Sequence, residues 1–383
     1  MLKNNTFPTN LSIDPIYPRI KVIGLGGAGC NTINRLSRMK MPGIELIAAN
    51  TDSQALSQCQ ADHKLLLGKN LTGGFGAGGN PETGKKAAEE SYRELIHTIK
   101  KADFLFLTAG MGGGTGSGAI QIAARMAKSL DISAIGMVTL PFSFESSLRF
   151  RCAVETTSCL QPLLDTLITI PNDRMLTLCT HETRLDTALA FADDILIQAI
   201  LGITGLINNQ GQLDIDLSHI LRLMKIKGGT YISTANASGN NKVINAIQKA
   251  LQHPLLDGLS IQDAKGIILK MTGDVAISEI NQAIEFLQSQ TSAETEIIPA
   301  VHENRLPPNQ VKVLLLATGI GAQPVSIHLP DETNPSRVKR DVIEDFNNTQ
   351  VKPVENKIDQ DSEDLLVPAF IRRGYNLINS GSF

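Results

Sequence analysis

Short apolar runs alternate with amphipathic stretches through the first half of the chain. The runs Ile20–Leu25, Ile44–Ala49, Asp103–Ala109, Ile132–Leu140 and Thr166–Ile170 are apolar almost throughout. Short runs of this kind, closed by turn residues, read as strands covered on both faces. Between them, apolar positions recur at helical spacing. Ile33, Leu36 and Met39 mark one helix, which stops at Pro42 and Gly43, and residues 82–101, 116–130 and 145–163 mark three more. This rhythm predicts an α/β fold with a Rossmann-like parallel sheet under helices on both faces.

The stretch Leu185–Asn208 is helical in period and apolar almost all round. Ala188, Phe191, Ile195, Ala199, Gly202 and Leu206 form one stripe; Leu189, Leu196, Ile200 and Ile203 form another. A helix apolar on several sides is buried on several sides. At ~1.5 Å per residue it spans roughly 35 Å, which suits a central helix joining two domains. Beyond it, strand-like runs at 229–234, 266–271 and 311–317 mix with helices near 240–252 and 278–290, a smaller α+β domain. From about Pro330 the chain turns to Asp, Glu, Asn, Lys and Pro, the composition of a disordered linker. An apolar and basic island follows at 364–373, which reads as a docking peptide, or else a tail strand packing back on its domain. The expected organisation is an arm over 1–18, a first domain over 19–184 and the central helix with its following loop over 185–224. The α+β domain covers 225–330, the linker 331–363 and the docking peptide 364–374.

Composition narrows the class. The chain has 383 residues, 42% of them hydrophobic, and a net charge of −3. That length suits two domains and a tail. Basic clusters with interleaved aromatics are missing, so no nucleic-acid partner is expected. No run approaches the ~18 or more apolar residues that a membrane span needs, and residues 1–10 lack a signal-peptide core. The five cysteines, Cys30, Cys59, Cys152, Cys159 and Cys179, form no CxxC pair. They read as reduced thiols of a cytosolic protein rather than a zinc site or disulfide framework.

The candidate chemistry lies in three glycine loops, read as following strands, at the edge of an open α/β sheet where ligands bind. The first, GLGGAG over Gly24–Gly29, contains G-x-G-x-x-G; the second spans Gly73–Pro81; the third is GMGGGTGSG over Gly110–Gly118. A glycine-dense turn entering a helix offers backbone N–H groups and the positive end of a helix dipole, a phosphate cradle. The third loop has no lysine, so it would hold phosphate by main chain and the Thr115 hydroxyl. The stretch Gly79–Lys85 matches G-x-x-x-x-G-K, but Lys86 stands where a P-loop needs Ser or Thr, and no strand leads directly into it. An NAD(P)-dependent oxidoreductase would use the first loop, with Asp52 at the end of the second strand, and would leave the other two unexplained. Three loops fit a triphosphate better than one pyrophosphate.

These motifs carry a resemblance. GGGTGSG over Gly112–Gly118 resembles the tubulin/FtsZ signature G-G-G-T-G-[ST]-G. The blocks Asn50–Leu56, Gly76–Glu82, Pro141–Glu145 and Ile170–Asp173 match FtsZ blocks in order and spacing. The likeness to bacterial FtsZ covers roughly residues 18–330 and the tail Leu366–Arg372. It implies a cytoplasmic GTPase that polymerises head-to-tail into filaments of the mid-cell division ring, using GTP/GDP and Mg²⁺. It implies that Gly27, Ala28, Gly29, Cys30, Asn31, Gly114, Thr115 and Gly116 wrap the nucleotide, and that Glu145 and Arg149 contact it, Glu145 at the ribose. Asn172 and Asp194 would read the guanine edge, since a carboxylate accepts both N1–H and N2–H. Ala77, Gly78, Gly79 and Asn80 would sense the γ-phosphate. In the tail, Leu366, Pro368, Phe370 and Arg372 would dock on membrane-tethering division proteins. Taken alone, Glu145 and Arg149 also fit an i,i+4 surface pair, and Asn172-Asp173 fits a helix cap. The family's aromatic residue on the central helix aligns with Leu189; whether Leu189 or Phe191 lies against the base stays open.

The resemblance also implies a catalytic loop acting in trans, inserted into the next subunit's pocket after the central helix. The family pattern N-x-D-F-x-D reads here as Asp214, Ile215, Asp216, Leu217, Ser218 and His219. Asp216 fills the first acidic position. His219 stands at the second, where the family has Asp, and Asp214 replaces the Asn. Imidazole is a poor Mg²⁺ ligand, so hydrolysis is expected to be slow. Asp214 would restore a second carboxylate on the same side of an extended loop. A divergent paralogue that co-assembles or regulates is the alternative.

Overall fold

The structure, a computed structural model, describes residues 18–320 apart from 40, 42, 177–178, 181, 209–212, 214, 254–259, 303–306 and 308. The first sheet contains β1 (Ile20–Leu25), β2 (Ile44–Asn50), β3 (His63–Leu66), β4 (Phe104–Gly110), β5 (Ser133–Leu140) and β6 (Thr166–Pro171), in the order β3-β2-β1-β4-β5-β6. Every pairing in it is parallel. The order reverses between β1 and β4, and that switch point is where an open α/β sheet leaves a crevice.

Alternate strand residues feed two cores. Ile20, Val22, Phe104, Phe106, Ile135 and Met137 face one way, toward α1 (Gly26–Ser37) and α9 (Leu185–Asn208). Ile23, Leu25, Leu105, Leu107 and Val138 face the other way, toward α4 (Pro81–Glu90), α5 (Tyr92–Ile99), α6 (Gly114–Ser129) and α7 (Ser147–Leu160). The first core does not stop at α9. It continues into a second sheet of β7 (Gly229–Ser238), β8 (Gly266–Gly273), β9 (Glu296–His302) and β10 (Gln310–Ile320), in the order β7-β10-β8-β9. Here β10 is antiparallel to both neighbours, β8 and β9 run parallel, and β9 is an edge. The smaller helices α10 (Leu217–Met224), α11 (Lys242–Leu251) and α12 (Ile277–Gln290) accompany it.

The expected parallel sheet, central helix and smaller α+β unit are all present. Several details differ. The helix expected over 82–101 breaks at Ser91, whose buried hydroxyl accepts the Gly68 N–H at 3.0 Å, giving α4 and α5. β3 and β9 escaped the periodicity reading because β3 is four residues long and β9 contains Pro299, which an edge strand tolerates. Two short helices, α2 (Ser53–Gln58) and α3 (Lys69–Thr72), were also missed. Because α3 follows β3, the second glycine loop does not leave a strand directly. The expectation that nothing here is apolar enough for a membrane span also needs correction. Thr187–Ile207 within α9 is long and apolar enough by length and composition, and the structure uses it as a core helix, burying Leu196, Ile200 and Ile203.

The tightest helix contact is α4 on α6. A Cβ on Gly84 would sit 2.2 Å from the Gly114 carbonyl oxygen, and one on Gly118 2.2 Å from that of Pro81. Backbone cannot retreat as a side chain can. Gly84→Ala is therefore expected to cost about 1–3 kcal/mol, the usual range for overpacking, read as a lower urea midpoint. Gly202→Ala on α9 meets only a Leu314 methyl, at 1.8 Å, and should cost less in the same assay.

Candidate functional site

Two helices start at the sheet's switch point. α1 leaves β1 at Gly26, and α6 leaves β4 through Gly110–Gly113 to begin at Gly114. The glycine motifs are thus partly first helical turns rather than loops before helices. Neither helix has a side-chain cap, and neither has an acidic residue in its first turn. Their free N–H groups and positive dipole ends are left for an anion. The two starts also touch: a Cβ on Gly26 would lie 2.8 Å from the Gly116 nitrogen. Gly27, Gly113, Gly78 and Gly79 face open space.

The second glycine loop closes on the same spot. Gly114 packs against it so tightly that a Cβ there would meet Asn80 N at 2.8 Å and Ala77 Cβ at 3.0 Å. Asn80 caps α4 by accepting the Glu82 N–H. The hydroxyls of Thr51, after β2, and Thr115 are 2.6 Å apart. Gly112, at φ +87°, lets the third loop turn under α7, where a Cβ would strike the Arg149 carbonyl at 2.7 Å. Gly27 through Asn31, Gly114 through Gly116 and Ala77 through Asn80 therefore meet in one crevice, at the C-terminal ends of the strands. Cys30 is buried in its floor. Burial pushes its thiol up to about 12, with Cys59 beside it adding to the rise and the Asn50 amide opposing it, so Cys30 is an inert packing thiol at neutral pH.

Glu145 and Arg149 form the i,i+4 pair, at 2.6 Å, and Glu145 also accepts the Phe142 N–H at 3.0 Å. Asn172 opens α8 (Asn172–Met175) at the end of β6. It is not a cap, because Pro171 holds that position. Its Oδ1 is buried without a hydrogen-bond partner, an acceptor whose desolvation only a donor brought to it would offset.

On the central helix the two adjacent carboxylates stand in different surroundings. The Asp194 side chain is 62% exposed, 3.4 Å from Arg35, and lines a groove between α9 and β7 with Phe191, Gln198 and Ile232. Its neighbour Asp193 is the buried one. It lies against α1, accepting from Thr32 Oγ1 at 3.4 Å with Arg35 Nε at 3.4 Å. Burial raises its carboxyl to about 6, against the opposing pull of Arg35. Leu189, one turn earlier, shares the Asp193 side, whereas Phe191 turns to the groove.

Asp216 and His219 lie elsewhere. Both are exposed at the start of α10, where the Asp216 carbonyl accepts the His219 N–H at 2.9 Å. α10 packs on the second sheet, with Leu223 over Gly266. Asp214 is outside the described residues, as are the tail positions Leu366, Pro368, Phe370 and Arg372.

Comparison with known proteins agrees with this architecture. Residues 19–180 match the model of the tubulin/FtsZ family GTPase domain, and 228–321 that of the FtsZ family C-terminal domain. The chain belongs to the tubulin/FtsZ family. It is 38% identical over 321 residues to cell division protein FtsZ 1 of Thermococcus kodakarensis, covering 84% of this chain and 85% of that one. A solved FtsZ dimer of M. jannaschii superposes with a TM-score of 0.74 at 35% identity, over 80% of this chain and 89% of that one. CetZ2 of Haloferax volcanii, solved as a GTPγS-bound protofilament, shares the fold at a TM-score of 0.66 and 17% identity, over 79% and 93%. This chain is accordingly a tubulin-like GTPase that binds guanine nucleotide.

The buried Asp193 makes a pH prediction. Its carboxyl holds a proton up to about pH 6 when folded and releases it near 3.8 when exposed. Between those values the folded state binds more protons, so the group's contribution to stability falls as pH rises from 4 through 6. Without nucleotide, Asp193→Asn should melt above the parent at pH 7.5, and the gap should close toward pH 4.

Proposed function

We propose that this chain is the GTP-hydrolysing subunit of a division filament, assembled head-to-tail, with each catalytic site shared by two subunits. The observation that carries this is a separation within one chain. The crevice presents main-chain donors and hydroxyls, the means to hold phosphate. Asp216 and His219, the groups suited to orient water and take its proton, sit on α10 against the second sheet. Head-to-tail contact would bring one subunit's α10 segment to the crevice of the next.

In this reading Gly27–Asn31 and Gly114–Gly116 wrap the phosphates, and Ala77–Asn80 line the far end. Glu145 and Arg149 lie where a ribose would rest. Asp193 and Asn172, rather than Asp194, read the base. A buried carboxylate and an orphaned carbonyl suit the donors along the guanine edge, and those donors offset the cost of burying them. Mg²⁺, neutralising phosphate charge, fits the hard oxygen donors of Thr51 and Thr115. We further propose that the tail peptide binds membrane-tethering proteins, and that the filament works in the cytoplasm at the division site. A subunit that mainly co-assembles with a faster partner is the second reading, favoured by His219 alone.

Purified full-length chain should turn over GTP faster per subunit as its concentration rises; a constant rate would remove shared catalysis. Asp216→Ala should lower turnover ~10²–10⁴-fold, the usual worth of a positioned acid–base group, while GTP still binds. His219→Asp should raise it; an unchanged rate would mean that His219 does not slow the reaction. Asp193→Asn should weaken GTP binding about 10–100-fold, as expected when a charged hydrogen bond is lost, and narrow the preference for GTP over ATP in a competition assay.

A further inference from the structure

The face of the second sheet that meets α9 carries two lysines. Register pairs Leu314 of β10 with Lys270 of β8, and Lys312 with Thr272. Cross-strand partners share a face, so Lys270 and Lys312 are diagonal neighbours on the face from which Leu314 approaches Gly202 of α9. Diagonal neighbours stand roughly 7–8 Å apart, within reach of two long side chains. Lys312 extends to α9 itself, where its Nζ donates to Gln198 Oε1 at 2.7 Å. Lys270 is 8% exposed, and its ammonium has no hydrogen bond or ion pair among the described residues. Burial and the charge of Lys312 push the Lys270 ammonium down to about 8, and burial lowers Lys312 as well. Two like charges thus share a contact largely closed to water, answered only by a neutral amide. Packing alone does not explain the pair, since methionine would fill similar space with no ammonium to desolvate.

We propose that Lys270, Lys312 and Gln198 form a binding site for a small oxyanion, of the class of inorganic phosphate, where α9 meets the second sheet. The two lysines would supply the charge. Gln198 accepts from Lys312 through its oxygen, which leaves its amide N–H groups to donate to the anion. Thr272 and Asn236 flank Lys312 on its two neighbouring strands and add a hydroxyl and a second amide. Gln198 also lines the groove between α9 and β7, a cavity of about 170 Å³ that opens to solvent. Asp194 shares that groove one turn away and is paired with Arg35. A phosphate bridging both ammoniums would offset the cost of burying them and would tie β8 and β10 to α9. The crevice of the first sheet holds phosphate by main chain; this site would hold it by side-chain charge.

The test uses the full chain with GDP bound. Phosphate binding is measured by titration calorimetry, and melting temperature in phosphate against chloride of matched ionic strength. The parent should bind phosphate and melt about 2–4 °C higher once phosphate exceeds its dissociation constant fivefold. Lys270→Met should abolish both effects while melting no lower than the parent in chloride, because it removes an unpaired buried charge. That substitution leaves the crevice intact, so phosphate held there would survive it. Lys312→Gln, at a half-buried position, should also abolish both effects, and it decides the matter if Lys270→Met does not fold. No calorimetric binding to the parent at millimolar phosphate would overturn the site. So would an equal phosphate shift in parent and variants, which would mark a general salt effect.

Discussion

Two helices in this molecule begin at almost the same point. The starts of α1 and α6 approach so closely that a single Cβ on Gly26 would collide with the nitrogen of Gly116. Both leave their first-turn N–H groups uncapped, and both avoid acids there. Two positive helix ends repel each other and carry unsatisfied donors, which costs stability until an anion arrives. Much of the surrounding structure follows from that constraint. The switch between β1 and β4 puts the two ends side by side, glycine permits the approach, and the Ala77–Asn80 loop folds over the opening. On the proposed reading, the base falls to α9 and the end of β6, the next surfaces along the sheet edge. Buried Asp193 and the unpartnered Asn172 carbonyl repeat the same arrangement there, as polar groups held out of water ahead of a ligand.

The sequence made most of this legible where a pattern had one physical cause. Apolar runs such as Ile20–Leu25 and Phe104–Ala109 are strands because a doubly covered parallel sheet wants little else. Glycine loops after β1 and β4 fall at the crevice because strand ends and helix starts meet there. Its failures were local and also have causes. Ser91 breaks a helix for a hydrogen bond to Gly68, a partner that periodicity cannot see. β9 contains Pro299, which argues against a strand unless the strand is known to be an edge. At Asp193 and Asp194 the sequence offered two adjacent carboxylates, and only the rotation of α9 against α1 separates the buried one from the exposed one.

The hydrophobic cores carry a consequence for coupling. One of them covers only the outer helices α4 to α7 and their face of the sheet. The other runs unbroken from β1 and β4 through α9 into β8 and β10. α9 is thus packed on both sides. Close-packed interiors deform little, so a shift of α9 at Asp193 and Leu189 cannot be absorbed within the helix. It is passed to where α9 meets the second sheet, at Gly202 and Leu314.

The segment that follows α9 is tied to both halves of the molecule. Leu213 and Arg222 hold it to β9, while the Met224 carbonyl at the end of α10 accepts the Thr166 hydroxyl at 2.6 Å. Thr166 begins β6, the strand whose other end leads into Asn172. Base site and α10 are therefore joined by two routes, along α9 and along β6. Neither route passes through the phosphate cradle. On the proposed reading, the arrangement separates holding the triphosphate, by main chain and hydroxyls in the cradle, from presenting Asp216 and His219 at the start of α10. On that reading, a chain built this way keeps its nucleotide while the rate of cleavage is set by Asp216 and His219, and the departure at position 219 falls on the side of that division that binding does not use.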